Sequence, residues 1–171
     1  MTTHLPGLEL DDRGAILSPC GAYRYRLWRQ LGEGPRCVFV CLNPSTADAD
    51  KDDPTLRRMM GFARGWGFGR LDVVNLFAFR ATRPIDCFRA AAPVGPDNDQ
   101  HITEAVRGAQ LVVVAWGANG VRLGRDRQVL ALLGEAGAVP HALRLLPSGL
   151  PEHPLYLPGN LRPVPYEAPR G

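Results

Sequence analysis

Four short apolar runs divide the central part of the chain. They are Cys37–Leu42, Leu71–Leu76, Leu111–Trp116 and His141–Leu146. Three of them are rich in valine and do not alternate with polar residues, which is typical of strands buried on both faces of a parallel sheet. Successive runs begin about 30 to 40 residues apart, the length of a βαβ unit. The pattern predicts an α/β fold with a doubly wound, mainly parallel four-stranded sheet.

The segments between these runs carry apolar residues at helical spacing. Asp53 followed by Pro54 is an N-cap and first-turn signal, and four of the next ten residues form one apolar stripe. The same pattern predicts a second helix that begins near Asp97 or Asn98 and a third over about residues 126–135. These helices provide the crossovers that parallel strands require.

Ahead of the first run, polar and apolar residues alternate around a Pro-Cys-Gly-Ala turn, which predicts a β-hairpin over about residues 15–31. The α/β core then covers about 36–157, and a proline-rich tail covers 158–171. A chain of 171 residues is long enough for one buried core and too short for two ordinary domains. We therefore expect residues 1–171 to form a single domain.

Composition limits the class of protein. The chain is 45% hydrophobic and 22% charged, has a net charge of +3, and contains no apolar stretch that approaches the ~18 residues of a membrane helix. Its N-terminus lacks a signal-peptide pattern, so we expect a cytoplasmic monomer without membrane contact. Lys51 is the only lysine. The many arginines suit phosphate contacts, although a GC-rich genome accounts for them equally well.

Four cysteines offer no recognisable metal pattern. Their spacing fits neither a zinc site nor an iron–sulfur cluster, and the apolar context of two of them is typical of buried thiols. We therefore predict no metal and no cofactor. The residues are Cys20, Cys37, Cys41 and Cys87.

Polar side chains follow several of the apolar runs. Asn43 comes directly after the first run, Asn75 lies near the end of the second, and His153 follows the fourth after a Pro-Ser-Gly turn. Ligands of open α/β sheets bind beyond the carboxyl ends of the strands, so these side chains are candidates for one site. Each also has a structural interpretation: a turn-forming Asn before proline, a satisfied strand amide, and a solvated loop histidine.

Longer motifs resemble a bacterial family of uncharacterised domains. The likeness covers about Ala15 to Tyr166 and implies no activity. The motifs are LNPSTADADKDDPT at Leu42–Thr55, VVNLFAFRAT at Val73–Thr82, GPDND at Gly95–Asp99, VVAWG at Val113–Gly117 and HPLY at His153–Tyr156.

A more distant resemblance is to the uracil-DNA glycosylase superfamily. In that superfamily a strand ends in Asp-Pro or Asn-Pro, a later strand-end Asn reads the base, and a late His-Pro loop stabilises the leaving base. Asn43-Pro44, Asn75 and His153-Pro154 are similar and occur in the same order. The resemblance implies a uracil-DNA-glycosylase-like fold in which Asn43 and His153 are catalytic and Asn75 binds the base.

The resemblance also implies roles for other residues. It implies that Ser45 lies at the base pocket, where the superfamily usually has Tyr or Gly, and that an aromatic ring stacks on the base, with Phe62, Trp66 and Phe77 as candidates. An apolar wedge helps to flip a base out of a duplex. The candidates for a wedge or for phosphate contacts are Leu155, Tyr156, Thr55 and Arg57.

Three functions are consistent with these residues. The first is a DNA-repair hydrolase that cleaves the N-glycosidic bond of a damaged or deaminated base in DNA. The second is a non-catalytic module that binds nucleic acid or a nucleotide in the same pocket, which Asn43 in place of a carboxylate favours. The third is an unrelated small-molecule enzyme on a similar scaffold. The sequence leaves open whether the protein is an enzyme, and whether Asp48, Asp50, Asp52 and Asp53 cap a helix, flank a phosphate or bind a metal.

Overall fold

A computed structural model of the protein describes residues 13–170. Within these residues, one mixed sheet of seven strands is covered by four α-helices. The strands are β1 (Arg13–Leu17), β2 (Arg24–Gln30), β3 (Arg36–Cys41), β4 (Arg70–Asn75), β5 (Leu111–Val114), β6 (Pro140–Ala142) and β7 (Val164–Pro165). The helices are α1 (Pro54–Gly65), α2 (Pro84–Phe88), α3 (Asn98–Val106) and α4 (Arg125–Glu135), and a 3-10 helix spans Ala118–Gly124.

Each of the four apolar runs overlaps one of the four parallel strands at the centre of the sheet. The strand order is β1-β2-β4-β3-β5-β6-β7, and β4, β3, β5 and β6 are mutually parallel. β3 and β4 pair from Arg36 opposite Arg70 to Cys41 opposite Asn75. The predicted α/β class and the parallel pairing of the first two runs are therefore confirmed.

The sheet is larger than the predicted four strands. The hairpin of β1 and β2 belongs to it, because β2 pairs antiparallel with β4, and β7 from the proline-rich tail pairs antiparallel with β6. Pro165 is tolerated in β7 because an edge strand has one side without ladder bonds. The fourth strand is also shorter than the run that predicted it: β6 ends at Ala142, and the following residues leave the sheet.

Helices cover both faces of the sheet. α1 packs on one face with Phe39 and Leu71, whereas α3 and α4 pack on the other with Val40 and Val74. The Asp53 cap is confirmed, because its Oδ1 accepts a hydrogen bond from the Leu56 amide at 2.8 Å. α3 and α4 begin within a residue of their predicted starts. None of the helices in residues 13–170 is long and apolar enough to span a membrane.

The loop after β6 folds back toward the end of β5. Leu145 and Pro151 form an isolated β-bridge, and the Glu152 amide donates to the Arg144 carbonyl at 2.8 Å. Gly117 lies just beyond β5 with a φ of 76°, a left-handed conformation that suits glycine, and its amide donates to the Pro151 carbonyl at 2.8 Å. These contacts hold His153 at the carboxyl edge of the parallel strands.

Candidate binding cavity at the carboxyl edge

A cavity of about 200 Å³ lies at the carboxyl edge of the parallel strands. Its walls come from the start of β2, the loop between β3 and α1, the end of β4, the segment before α2 and the loop after β6. Five of the residues predicted for the site from the sequence line this one cavity. Its polar lining residues are Arg24, Asn43, Ser45, Asp53, Thr55, Asn75, Thr82 and His153.

Asn75 is the most deeply buried amide of the cavity wall. It is 2% exposed, and its Nδ2 has no hydrogen-bond partner among residues 13–170. An enclosed donor without a partner costs about 1–3 kcal/mol, so a buried amide of this kind is rare in a merely structural position. Asn75 therefore brings an unused hydrogen-bond donor to the wall of the cavity.

Asn43 is fixed by its own amide hydrogens. Its Nδ2 donates to the carbonyls of Pro44 and Ala81 at 3.0 and 2.9 Å. Because both amide hydrogens are used, Oδ1 is the group that remains to accept a hydrogen bond from a ligand or a water molecule. An amide oxygen can position a water molecule but does not take its proton at neutral pH.

His153 is held in one tautomer at the exposed rim of the cavity. Its Nδ1 lies 3.3 Å from the Leu155 amide, which donates to it, so the proton of the neutral ring is on Nε2. Burial of the ring lowers the pKa of His153 from its ordinary value, and the negative charge of Asp53 opposes that shift. His153 is consequently a neutral ring with an Nε2–H donor at neutral pH.

Arg24 is a part of the site that the sequence did not indicate. It is 4% exposed and lines the cavity, and its Nη1 donates to the Ala47 carbonyl at 2.8 Å. It lies at this edge because β2 runs antiparallel to β4, which places the first residue of β2 beside the end of β4. The alternation of polar and apolar residues along β2 predicted a hairpin but did not predict that β2 pairs with β4. The sequence therefore gave no indication that Arg24 lies at the cavity.

Three aspartates of the loop before α1 have structural roles. Asp48 Oδ1 accepts from the amides of Asp50 and Lys51, and Asp52 forms an ion pair with Arg29 at 2.9 Å. Both oxygens of Asp53 accept backbone amides, from Leu56 and Ala47. Across residues 13–170, no three His, Cys, Asp or Glu side chains are grouped closely enough to hold a metal ion.

The apolar part of the cavity wall includes Cys41 and Met59, whose sulfur atoms lie 3.6 Å apart. Burial raises the pKa of the Cys41 thiol to about 12. Because thiolates rather than thiols are nucleophiles, Cys41 is a small apolar residue here and has no nucleophilic role at neutral pH.

Several predicted residues lie outside this cavity. Phe62 is 3% exposed and packs against Trp66 in the core beneath α1, with ring centroids 5.4 Å apart. Phe62, Trp66 and Phe77 are all absent from the lining of the cavity, so none of them is placed to stack on a ligand there. Phe62 and Arg57 line a neighbouring open hollow that begins at Pro54.

The predicted wedge residues lie close to His153 in the chain. Tyr156 is 90% exposed, and Leu155 is partly buried. Thr55, the other phosphate candidate, is part of the cavity wall. Neither Leu155 nor Tyr156 is part of the cavity lining, so their role as a wedge stays a prediction.

The fold and the cavity define an α/β protein with a small polar pocket at the carboxyl edge of its parallel strands. The chain belongs to the family described as "Protein of unknown function (DUF1643)", whose model matches residues 24–155. The matched region contains Arg24, Asn43, Asn75 and His153. A search of curated proteins and a search of solved structures each found no match.

Proposed function

We propose that this protein binds a nucleobase in the cavity and hydrolyses the N-glycosidic bond that joins the base to DNA, in the manner of uracil-DNA glycosylases. The observation that carries the proposal is the meeting of Asn43, Asn75 and His153 at one cavity, although they lie at the ends of three different strands or in the loops that follow them. Their order along the chain matches the order of the corresponding motifs in that superfamily.

The size of the cavity supports a small planar ligand. Pockets for drug-sized molecules have volumes of about 300–1,000 Å³, whereas this cavity has about 200 Å³. A single heterocyclic base is a ligand of suitable size. The sugar and the rest of a nucleic-acid strand then lie outside, where Tyr156 and Arg57 are exposed.

The three side chains have complementary roles in this proposal. The amide of Asn75 pairs with the edge of the base, and His153 donates from Nε2 to a carbonyl oxygen on which negative charge accumulates. Asn43 Oδ1 holds a water molecule. The glycosidic C–N bond breaks with its electron pair on the base, the oxygen of the water bonds to the sugar carbon, and its proton passes to the released base.

A second candidate function is a non-catalytic module that binds a nucleic acid or nucleotide in the same cavity. The observation in its favour is the absence of a free carboxylate among the residues that line the described cavity. Asp53 is the one acid there, and both of its oxygens already accept backbone amides. Without a proton acceptor, hydrolysis depends on electrostatic stabilisation of the leaving base alone.

Single-turnover excision assays separate the two functions. Oligonucleotides that contain uracil, hypoxanthine, xanthine or a mismatch are incubated with excess protein, and abasic sites are revealed by alkaline cleavage. We expect excision from one of these strands, and we expect His153→Ala to slow it by about 100- to 1000-fold, the usual effect of removing one donor from a developing anion.

Strand binding, measured in parallel, completes the test. Asn43→Ala is expected to slow excision while binding of the same strand stays nearly unchanged, because Asn43 acts on the water rather than on the base. His141→Ala is the matched control, since His141 lies on β6 and does not line the cavity. Wild-type protein that binds a strand but releases no base supports the non-catalytic module. Protein that neither cleaves nor binds a strand contradicts the glycosylase, and if it also fails to bind a free nucleotide it contradicts both functions.

A further inference from the structure

Arg24 differs from the other deeply buried arginines in its lack of partners. Arg29, on the same strand, uses all three nitrogens: Nε bonds Asp52, Nη1 bonds the Trp28 carbonyl, and Nη2 bonds the carbonyls of Asp48 and Lys51. Arg125 is also bonded through all three. In Arg24 the Nε is enclosed without a partner, and the guanidinium forms no ion pair with any carboxylate of residues 13–170.

Among the described residues, only one carboxylate near Arg24, that of Asp53, favours its charged form, and it opposes the effect of burial on the pKa of Arg24 without forming an ion pair with it. Asp53 is the one acid in the lining of the described cavity, and its oxygens accept the amide of Leu56 at the start of α1 and the amide of Ala47 in the preceding loop. The positive end of the α1 dipole counters that carboxylate charge. Burial lowers the pKa of Arg24 to about 10, which leaves it charged at neutral pH, while Arg80 and Arg29 add positive potential.

Two further free groups at the cavity are donors, whereas Asn43 Oδ1 is a free acceptor. Asn75 has an unpartnered Nδ2, and neutral His153 has an Nε2–H. A buried cation and two neutral donors around a cavity of about 200 Å³ require a ligand that is rich in acceptors. Hydrogen bonds to charged partners are about twice as strong as those between neutral groups. An acceptor that carries a negative charge therefore forms the strongest hydrogen bonds with these donors.

We infer that Arg24 is a specificity-determining residue that selects a negatively charged ligand, and that its ligand is a pyrimidine-sized ring in anionic form. The anionic character of the site follows from Arg24 itself, whereas the identity of the ring rests on the proposed function. For a glycosylase, the anion is the base at the moment when its glycosidic bond has broken. A fixed buried cation then holds the leaving base more tightly than the neutral base before cleavage.

Calorimetric titration with three simple ligands tests this inference. Uracil is neutral at neutral pH, barbiturate is a pyrimidine ring of the same size that carries a negative charge, and inorganic phosphate is an anion without a ring. We expect the wild-type protein to bind barbiturate at least ~10-fold more tightly than uracil, a difference of about 1.4 kcal/mol. Arg24→Met is expected to remove that preference, and Arg24→Lys to retain part of it.

Arg26→Met is the matched control, because Arg26 lies on the same strand but pairs with Asp72 and does not line the cavity. It should leave the ratio of the two affinities unchanged. Urea unfolding of each variant verifies that it is folded, and the ratio itself does not respond to a purely structural role of Arg24.

Each result decides between the inference and the proposed function. Equal binding of uracil and barbiturate, unaffected by Arg24→Met, overturns the inference while the nucleobase pocket stands. Phosphate binding that depends on Arg24, without binding of either pyrimidine, contradicts the proposed function and supports an anion site. Binding of none of the three ligands overturns both.

Discussion

Replacing Asn75 by leucine is predicted to make the protein more stable and to abolish ligand binding. Leucine has nearly the shape of asparagine but has no polar atoms. The Nδ2 of Asn75 is enclosed and has no partner among the described residues, and the side chain is 2% exposed. Such a donor costs about 1–3 kcal/mol, and its removal together with the polar oxygen abolishes that cost.

The expected gain for Asn75→Leu is about 1–2 kcal/mol, since the leucine also has to fit the cavity wall. For a chain of this length, 1 kcal/mol shifts the melting temperature by about 2–4 °C, so we expect a rise of about 2–8 °C. Urea unfolding followed by fluorescence gives the free energy of unfolding, and calorimetry gives the melting temperature. Titration with barbiturate verifies that binding is lost.

Asn98→Leu is the matched comparison, with the opposite expected sign. Asn98 is fully buried, and its Nδ2 donates to the carbonyls of Asn75 and Leu76 at 2.9 and 3.1 Å. Leucine there leaves these carbonyls without the two bonds, so a loss of about 1–2 kcal/mol is expected. If Asn75→Leu destabilises the protein as much as Asn98→Leu does, Asn75 has a structural role and the reasoning is wrong.

Three further predictions concern the loop and helix that build the cavity. Asp53→Ala removes the α1 cap and should lower the free energy of unfolding by about 0.5–2 kcal/mol in urea titrations, whereas an unchanged value contradicts the cap. Arg29→Met leaves Asp52 and two loop carbonyls without their buried partner, so a loss of about 3 kcal/mol is expected by the same assay, and a loss below about 1 kcal/mol contradicts that role. Burial lowers the pKa of His153 below the 6.5 of an unfolded chain, so the unfolded state takes up its proton first. Stability should therefore fall as the pH drops below about 6.5, and His153→Gln should reduce that slope; equal slopes between about pH 7.5 and about pH 5 refute the assignment.

The central strands and α1 were predictable because their signals are local. Valine-rich runs and an Asp-Pro cap act within a few residues, and the structure has β3, β4 and α1 where these signals lie. The general rule that ligands bind at the carboxyl edge then brought Asn43 and Asn75 to one place. The positions of these strands and of α1 follow from short segments of the chain, and the position of the site follows from the way parallel strands end at one edge of the sheet.

The remaining parts of the site depend on contacts between distant segments. Arg24 belongs to the cavity only because β2 pairs with β4, a contact across more than forty residues that alternation along β2 does not reveal. Phe62 was predicted as a stacking residue, yet it lies on the buried face of α1 against Trp66. An aromatic ring on a helix has the same local sequence signal whether it packs in the core or lines a cavity, so periodicity alone does not separate the two.

Two matched pairs of residues show where the structure leaves polar groups unsatisfied. Asn98 uses both amide hydrogens, although its Oδ1 has no partner among the described residues, and Arg29 uses all three guanidinium nitrogens, so this fold is able to satisfy buried nitrogen donors. Asn75 and Arg24 are equally buried and each has an enclosed nitrogen without a partner. Both of these residues line the same cavity. Two of the eight enclosed side-chain atoms without a partner among the described residues therefore belong to one cavity wall, where a ligand would supply the acceptors that both donors lack.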